Sequence, residues 1–148
     1  MRLLLLSFLS VVISSTAIAG DEKSNALGVF TDDESHLQWQ DDYSDNKGVI
    51  KDLDWEGAIE YCGSLLLNDE KWRLPTLLEL RELVRKGKYA QFKVVKSTRN
   101  PDMVNNYWTS KVRENNEEYA WRVSFLYQNV YYFKKSLATN VRCVRSIK

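Results

Sequence analysis

The chain has two cysteines, Cys62 and Cys143, set far apart and both downstream of an export-type N-terminus. Residues 1–19 read as a secretory signal. Arg2 supplies the positive start, Leu3 to Ile13 is an apolar run broken only by Ser7 and Ser10, and Ala17-Ile18-Ala19 is a small-x-small cleavage pattern before Gly20. The run is too short to span a bilayer comfortably and no second one follows, so stable membrane insertion is not expected after cleavage. An uncleaved N-terminal anchor is the alternative. No cysteine follows the apolar run, so a lipid anchor is not indicated. The expected location is periplasmic or secreted. In that compartment two cysteines allow one intramolecular pairing. Cys62 falls in a helical pattern and Cys143 in a strand-like tail, so a bridge ties the first helix to the last strand. Closing a loop of that size is worth about 4–5 kcal/mol by chain entropy. Two unrelated buried thiols are the competing reading.

Cleavage leaves residues 20–148 as a single domain with one core. Five Trp and eight Tyr suit a β-rich exported domain, and some of these rings can serve as ligand platforms. The net charge is near zero, but its distribution is polarised. Asp21 to Glu60 holds twelve acids against three bases. Arg81 to Arg99 holds seven bases (Arg81, Arg85, Lys86, Lys88, Lys93, Lys96 and Arg99) against the single acid Glu82. Lys134 to Lys148 holds five bases and no acid. One reading is that acidic and basic faces neutralise each other or are simply solvated. The other is a basic patch for an anionic ligand. Outside the cytoplasm, a sulfated or uronic polysaccharide or an envelope polymer fits that patch, and nucleic acid is not expected.

Local signals give an element order. Val29–Thr31 and His36–Gln40 flank the polar turn 32–35 as a hairpin. Asp41 to Lys51 reads as a loop. Asp54 is the N-cap of a first helix whose apolar stripe is Trp55, Ala58, Ile59, Cys62, Leu65 and Leu66. Thr76-Leu-Leu-Glu79 is a capping box after Pro75, with Leu77, Leu80, Leu83 and Val84 as the stripe and Gly87 as the stop. Tyr107–Ser110 reads as a strand. Tyr119, Trp121, Val123 and Phe125 alternate onto one face of the next strand, Gln128-Asn129 turns, and Val130–Lys134 answers as hairpin partner. Asn140–Arg145 closes the sheet. Hairpin, two helices and then an antiparallel meander argue an α+β fold.

Six short motifs occur in order: Leu37-Gln-Trp39-Gln-Asp41, Ala58-Ile-Glu-Tyr-Cys62, Trp72-Arg-Leu-Pro-Thr76-Leu-Leu-Glu79-Leu80, Tyr107-Trp108-Thr-Ser110, Tyr119-Ala-Trp121-Arg-Val-Ser-Phe125 and Val141-Arg-Cys143-Val-Arg145. Together they resemble the bacterial domain family named for the C-terminal domain of the Legionella collagen-like adhesin, over roughly residues 29–145. The Trp72–Glu79 block also looks like the matching block of C-type-lectin-like domains and of the formylglycine-generating-enzyme fold. Those folds set a helix cysteine against a last-strand cysteine, as Cys62 and Cys143 are arranged. The resemblance implies a C-type-lectin-like α+β fold. It also implies a lectin-like, adhesin-like carbohydrate-binding role, since the adhesin that names the family binds sulfated glycosaminoglycans. This chain carries no collagen-like stalk, so avidity from a built-in trimer is not implied.

The block Trp72–Glu79 is architectural by its chemistry, with Arg73 free to pair with a buried acid or carbonyl. No metal or other cofactor is expected. Asn100-Pro101-Asp102 is misplaced for a lectin calcium loop, no Asn-Asp follows Trp121, and Asp and Glu are absent after Glu118. No enzyme is expected either. The sole histidine, His36, sits in a hairpin strand without an evident partner. Sugar sites pair aromatic faces with charged groups. Tyr127, Tyr131, Tyr132, Lys134 and Lys135 of one hairpin are therefore candidate ligand contacts, with sheet packing as the alternative for the tyrosines. The expected partner is an anionic polysaccharide, or else a protein of an envelope or surface assembly.

Overall fold

The computed structural model describes residues 28–95, 97 and 105–148. The signal at residues 1–19, the bases Lys96 and Arg99, and Asn100-Pro101-Asp102 lie outside the described residues.

In chain order the elements are β1 (Val29–Asp32), β2 (Leu37–Gln40), β3 (Asp52–Leu53), α1 (Trp55–Ser64), α2 (Leu77–Arg85), β4 (Asn106–Val112), β5 (Tyr119–Ser124), β6 (Val130–Lys134), β7 (Thr139–Asn140) and β8 (Val144–Ser146). The fold is α+β. One sheet runs β1-β2-β8, so the first hairpin meets the last strand. The other runs β3-β7-β4-β5-β6. Pairing is antiparallel except between β4 and β7.

Both helices begin where their caps dictate. The Asp54 carboxylate accepts from Gly57 N–H at 2.8 Å. At α2 the Thr76 hydroxyl accepts from Glu79 N–H at 3.2 Å, and the Glu79 carboxylate accepts from Thr76 N–H at 2.8 Å. The same carboxylate takes both guanidinium arms of Arg73, at 2.6 and 2.8 Å. Burial pushes the Glu79 carboxyl up, but Arg73 and Thr76 outweigh it and hold the group below its usual range. Gly87 ends the helix at φ +67°, a conformation that costs a residue with a Cβ.

The five-stranded sheet is covered on both faces, because successive side chains of a strand point to opposite sides. Tyr107, Val123 and Phe125 join Leu80, Leu83 and Val84 of α2 in one core, together with Phe30, Trp39 and Phe92. Trp108 and Ala120 point the other way and pack with Ala58 and Cys62 of α1, Trp72 and Leu74. There Cys62 is disulfide-bonded to Cys143, across a sequence separation of 81. The expected pairing of Cys62 with Cys143 is met, but Cys143 lies just before the last strand, which begins at Val144, rather than within it.

Three expectations are corrected. Asn140–Arg145 is not one strand: β7 ends at Asn140 and β8 begins at Val144. The chain changes sheets there, and Val141, Arg142 and Cys143 are all buried in the crossing. The α1 stripe stops early. The helix ends at Ser64, Leu65 is extended, and Leu66 turns outward at 81% exposure. Finally, the alternating face of β5 is not uniformly core. Val123 and Phe125 are buried under α2, but Tyr119 and Trp121 run past the helix and are only half-buried.

Arg142 was not anticipated as a core residue. It is completely buried, and its guanidinium donates to Gln40 C=O (2.6 Å), Val94 C=O (2.6 Å) and the Asp41 carboxylate (3.1 Å). It also stacks 3.7 Å from the Phe92 ring centre. Asp41 in turn accepts from the N–H groups of Lys93 (2.7 Å) and Val94 (3.0 Å). This pair fastens the segment after Phe92 to the crossing between the sheets.

Candidate functional site

The basic segment does not form one free patch. Lys86 is paired with Glu34, and Lys88 with both Asp32 and Glu34, the latter at 2.9 Å. These acids belong to the end of β1 and its turn, more than fifty residues away in sequence. Burial pushes the Asp32 carboxyl up, but Lys88 and Ser35 outweigh it and leave the group below its usual range. Hydrogen bonds from Lys86 and Lys88 lower the Glu34 carboxyl in the same way. Lys93 is exposed and contributes its backbone N–H to Asp41. Arg81 and Arg85 are four residues apart and so on one face of α2. With Val84, Val123 and Gln128 they line a notch of about 150 Å³ between the helix and the β5–β6 hairpin. Arg85 is held by Glu82, at 2.6–3.2 Å. Among the described residues Arg81 makes no ion pair.

The tyrosine hairpin is also divided. In the β5–β6 register Trp121 faces Tyr132 and Tyr119 faces Lys134, so Tyr132 and Lys134 share the α2 side of the sheet with Val123. Tyr132 meets Trp121 and Tyr119 edge-to-face, each at 5.8 Å between ring centres. The Arg113 guanidinium lies 3.8 Å from the Tyr132 ring centre. The Trp121 indole N–H is buried without a hydrogen-bond partner. Tyr131 points to the opposite side, its hydroxyl 3.1 Å from the Asn129 amide. Lys135 sits over the Trp55 ring, at 4.1 Å, on the α1 side. Tyr127 is exposed in the turn. The five hairpin residues therefore do not make one surface, because strand alternation separates adjacent side chains.

Two of the sequence candidates from α2 and two from β6 thus border one side of the sheet: Arg81 and Arg85, Tyr132 and Lys134. Trp121, Tyr119, Gln128 and Arg113 join them. The period-two pattern named Trp121 and Tyr119 as a face, but a turn at Gln128-Asn129 would have set Tyr132 opposite Phe125. The turn lies instead at residues 125–128, where Ser124 already pairs with Asn129, and this shift of register brings Trp121 opposite Tyr132. No local signal marks Arg113.

A second concavity of about 400 Å³ lies between the first hairpin and α2, floored by Leu37, Trp39, Leu78, Leu83 and Ile147 and rimmed by Asp32, His36, Glu79, Glu82 and Lys86. Its carboxylates are already held by bases of the chain: Asp32 by Lys88, Glu79 by Arg73, Glu82 by Arg85. Among the described residues no three His, Cys, Asp or Glu side chains group to hold a metal ion. No helix among them is long and apolar enough to cross a membrane.

A search of the curated proteins finds no match. The family model of the Lcl C-terminal domain matches residues 28–145. That span takes in both sheets, both helices and the bridged cysteines, and the chain accordingly belongs to the Lcl C-terminal domain family.

Proposed function

We propose that the protein is an exported, non-enzymatic, lectin-like module that binds an anionic glycan or envelope polymer on the side of the sheet bounded by α2. Family membership suggests a surface adhesin-like module. The observation that carries the finer reading is the juxtaposition of arginines with surface rings: Arg113 stacked on the exposed Tyr132, the half-buried Trp121 beside it, and Arg81 and Arg85 at the notch beside Val123. Aromatic faces accept the C–H faces of a sugar ring. Guanidinium groups match the planar oxygens of carboxylate or sulfate. A C-type-lectin-like relationship is supported by the pairing of β2 with β8 and by the bridge from α1 to the chain's last crossing. Export to an oxidising compartment is supported by the signal-like residues 1–19 and by the disulfide. A binding role rather than catalysis is supported by the cleft carboxylates being tied up in ion pairs.

The second reading, a subunit that docks a protein of a surface assembly, is favoured by one observation. Lys86 and Lys88 are already neutralised by Asp32 and Glu34, so much of the basic segment is spent inside the molecule.

The two readings separate on heparin and a panel of acidic polysaccharides, run across a salt gradient. Retention that weakens with salt and is lost in the Arg81→Glu/Arg85→Glu variant and in Trp121→Ala is the expected result. Absence of retention on every anionic polymer, with a single stoichiometric protein recovered from envelope extract, overturns the glycan reading in favour of the second.

A further inference from the structure

We propose that β6 is a self-association edge through which two copies of this chain join into one continuous sheet. β6 is the outermost strand of the five-stranded sheet. Ser124 N–H donates to Asn129 C=O and Lys135 N–H to Glu118 C=O, which fixes the hydrogen-bonded pairs of the β5–β6 ladder. Antiparallel ladders alternate, so the backbone groups of Tyr131 and Phe133 turn toward β5, and those of Val130, Tyr132 and Lys134 turn outward. Among the described residues the outward groups have no partner apart from Lys134 C=O, which accepts from Leu137 N–H at 3.0 Å.

The strand is also poorly guarded. Natural edges are kept from pairing by shortness, charge, proline or a bulge. The opposite edge of this sheet, β3, has two residues, one of them Asp52. β6 reads Val-Tyr-Tyr-Phe-Lys, all β-branched or aromatic up to Lys134. Tyr131 and Tyr132 are both exposed.

A second copy is the occupant because the strand is complementary to itself. Bonded pairs across the new junction can form only between outward-facing residues. A two-fold axis at Tyr132 uses all three of them at once: Tyr132 bonds to the partner's Tyr132 through both its N–H and C=O, and the open Lys134 N–H donates to the partner's Val130 C=O. The intervening pair sets Tyr131 against the partner's Phe133, at the closer spacing where side chains touch. Registers shifted by two residues lose a bonded pair. The axis runs through the sheet, so both α2 sides face the same way and the two Tyr132 rings become neighbours. Each copy thereby extends the other's aromatic row. The association stands whether or not the row binds a glycan, and closed two-fold pairing also leaves no edge for further growth at β6.

The test is sedimentation of the mature, oxidised protein from micromolar to near-millimolar concentration, with hydrogen exchange read at Tyr132. The expected result is a monomer–dimer equilibrium in which the Tyr132 amide gains protection in step with the dimer. Tyr132→Pro removes an outward N–H that the fold does not use, so the monomer keeps its far-UV dichroism and cooperative urea unfolding while the dimer weakens at least about tenfold. Lys134→Val removes the one guard and tightens the dimer, an outcome that misfolding cannot imitate. A monomer at every concentration with an unprotected Tyr132 amide overturns the proposal. So does a dimer that survives Tyr132→Pro, or a species that grows past the dimer.

Discussion

Replacing Arg142 with Met is the sharpest test of what holds the crossing between the two sheets. Methionine fills a similar length and removes the charge. The loss leaves the Asp41 carboxylate, nearly inaccessible to solvent, with the backbone donors of Lys93 and Val94 and no counter-ion. It also strands the carbonyls of Gln40 and Val94 and the Phe92 face. Removing one partner of a buried pair costs about 3–5 kcal/mol, and each orphaned carbonyl adds to that without simple additivity. The expected loss is about 4 kcal/mol, a large share of the roughly 5–15 kcal/mol that holds a domain of this kind. In a thermal melt this amounts to roughly 12–20 °C. The assay is urea unfolding of Arg142→Met, Asp41→Asn and the double variant. The double variant is expected to cost less than the sum, because the charges no longer lack each other. Limited proteolysis is expected to cut after Lys93 in each single variant, since Asp41 and Arg142 together hold that segment down. A loss under about 1 kcal/mol, with additive singles, refutes the assignment of this pair as the fastening of the crossing.

Two further predictions concern the rest of the framework. Cys62→Ala/Cys143→Ala opens a loop with a sequence separation of 81 and is expected to lower unfolding free energy by about 4.5 kcal/mol on the chain-entropy account; a change within about 1 kcal/mol in guanidinium unfolding contradicts it. The Glu79 carboxyl, depressed below 4.5 in the folded state, contributes stability that is present above that pH and is lost as pH falls through the lower folded value. Glu79→Gln keeps a capping residue at that position but removes the charge, so the urea midpoint of the variant should fall less between neutral pH and pH 3; identical acid limbs dismiss the Arg73 pairing as a source of acid sensitivity.

Where the deciding interaction is local, the residues announce the structure. Asp54 caps α1 because its side chain reaches an N–H three residues on. Thr76 and Glu79 cap each other across one turn. Gly87 stops α2 because its backbone tolerates a positive φ. The two cysteines needed only an oxidising compartment to be paired. The strands of the late meander were legible from their period of two, and the order of elements from turn residues.

Which side of each strand meets the core was a different matter. The alternation named Tyr119, Trp121, Val123 and Phe125 as one face, but the reach of α2 decides that two are buried and two remain at the surface. Tyr131 and Tyr132 are neighbours in the chain and strangers in the fold. The basic run from Arg81 to Lys88 invites an anionic ligand until the acids of the β1 end and turn come to lie against Lys86 and Lys88. Arg142 looks like a surface arginine until Asp41 and Phe92 surround it.

The sequence by itself determined the α+β order of elements, the helix caps, the single possible disulfide and the family. Only the tertiary structure decided which charges are spent on one another, which rings stand beside Arg113, and which strand lies at the edge with its backbone unpaired. Caps and alternation act within a turn or a pleat and are written in adjacent residues. Ion pairing, ring stacking and edge exposure depend on segments that the chain brings together from fifty or a hundred residues apart, and no window of sequence contains both partners.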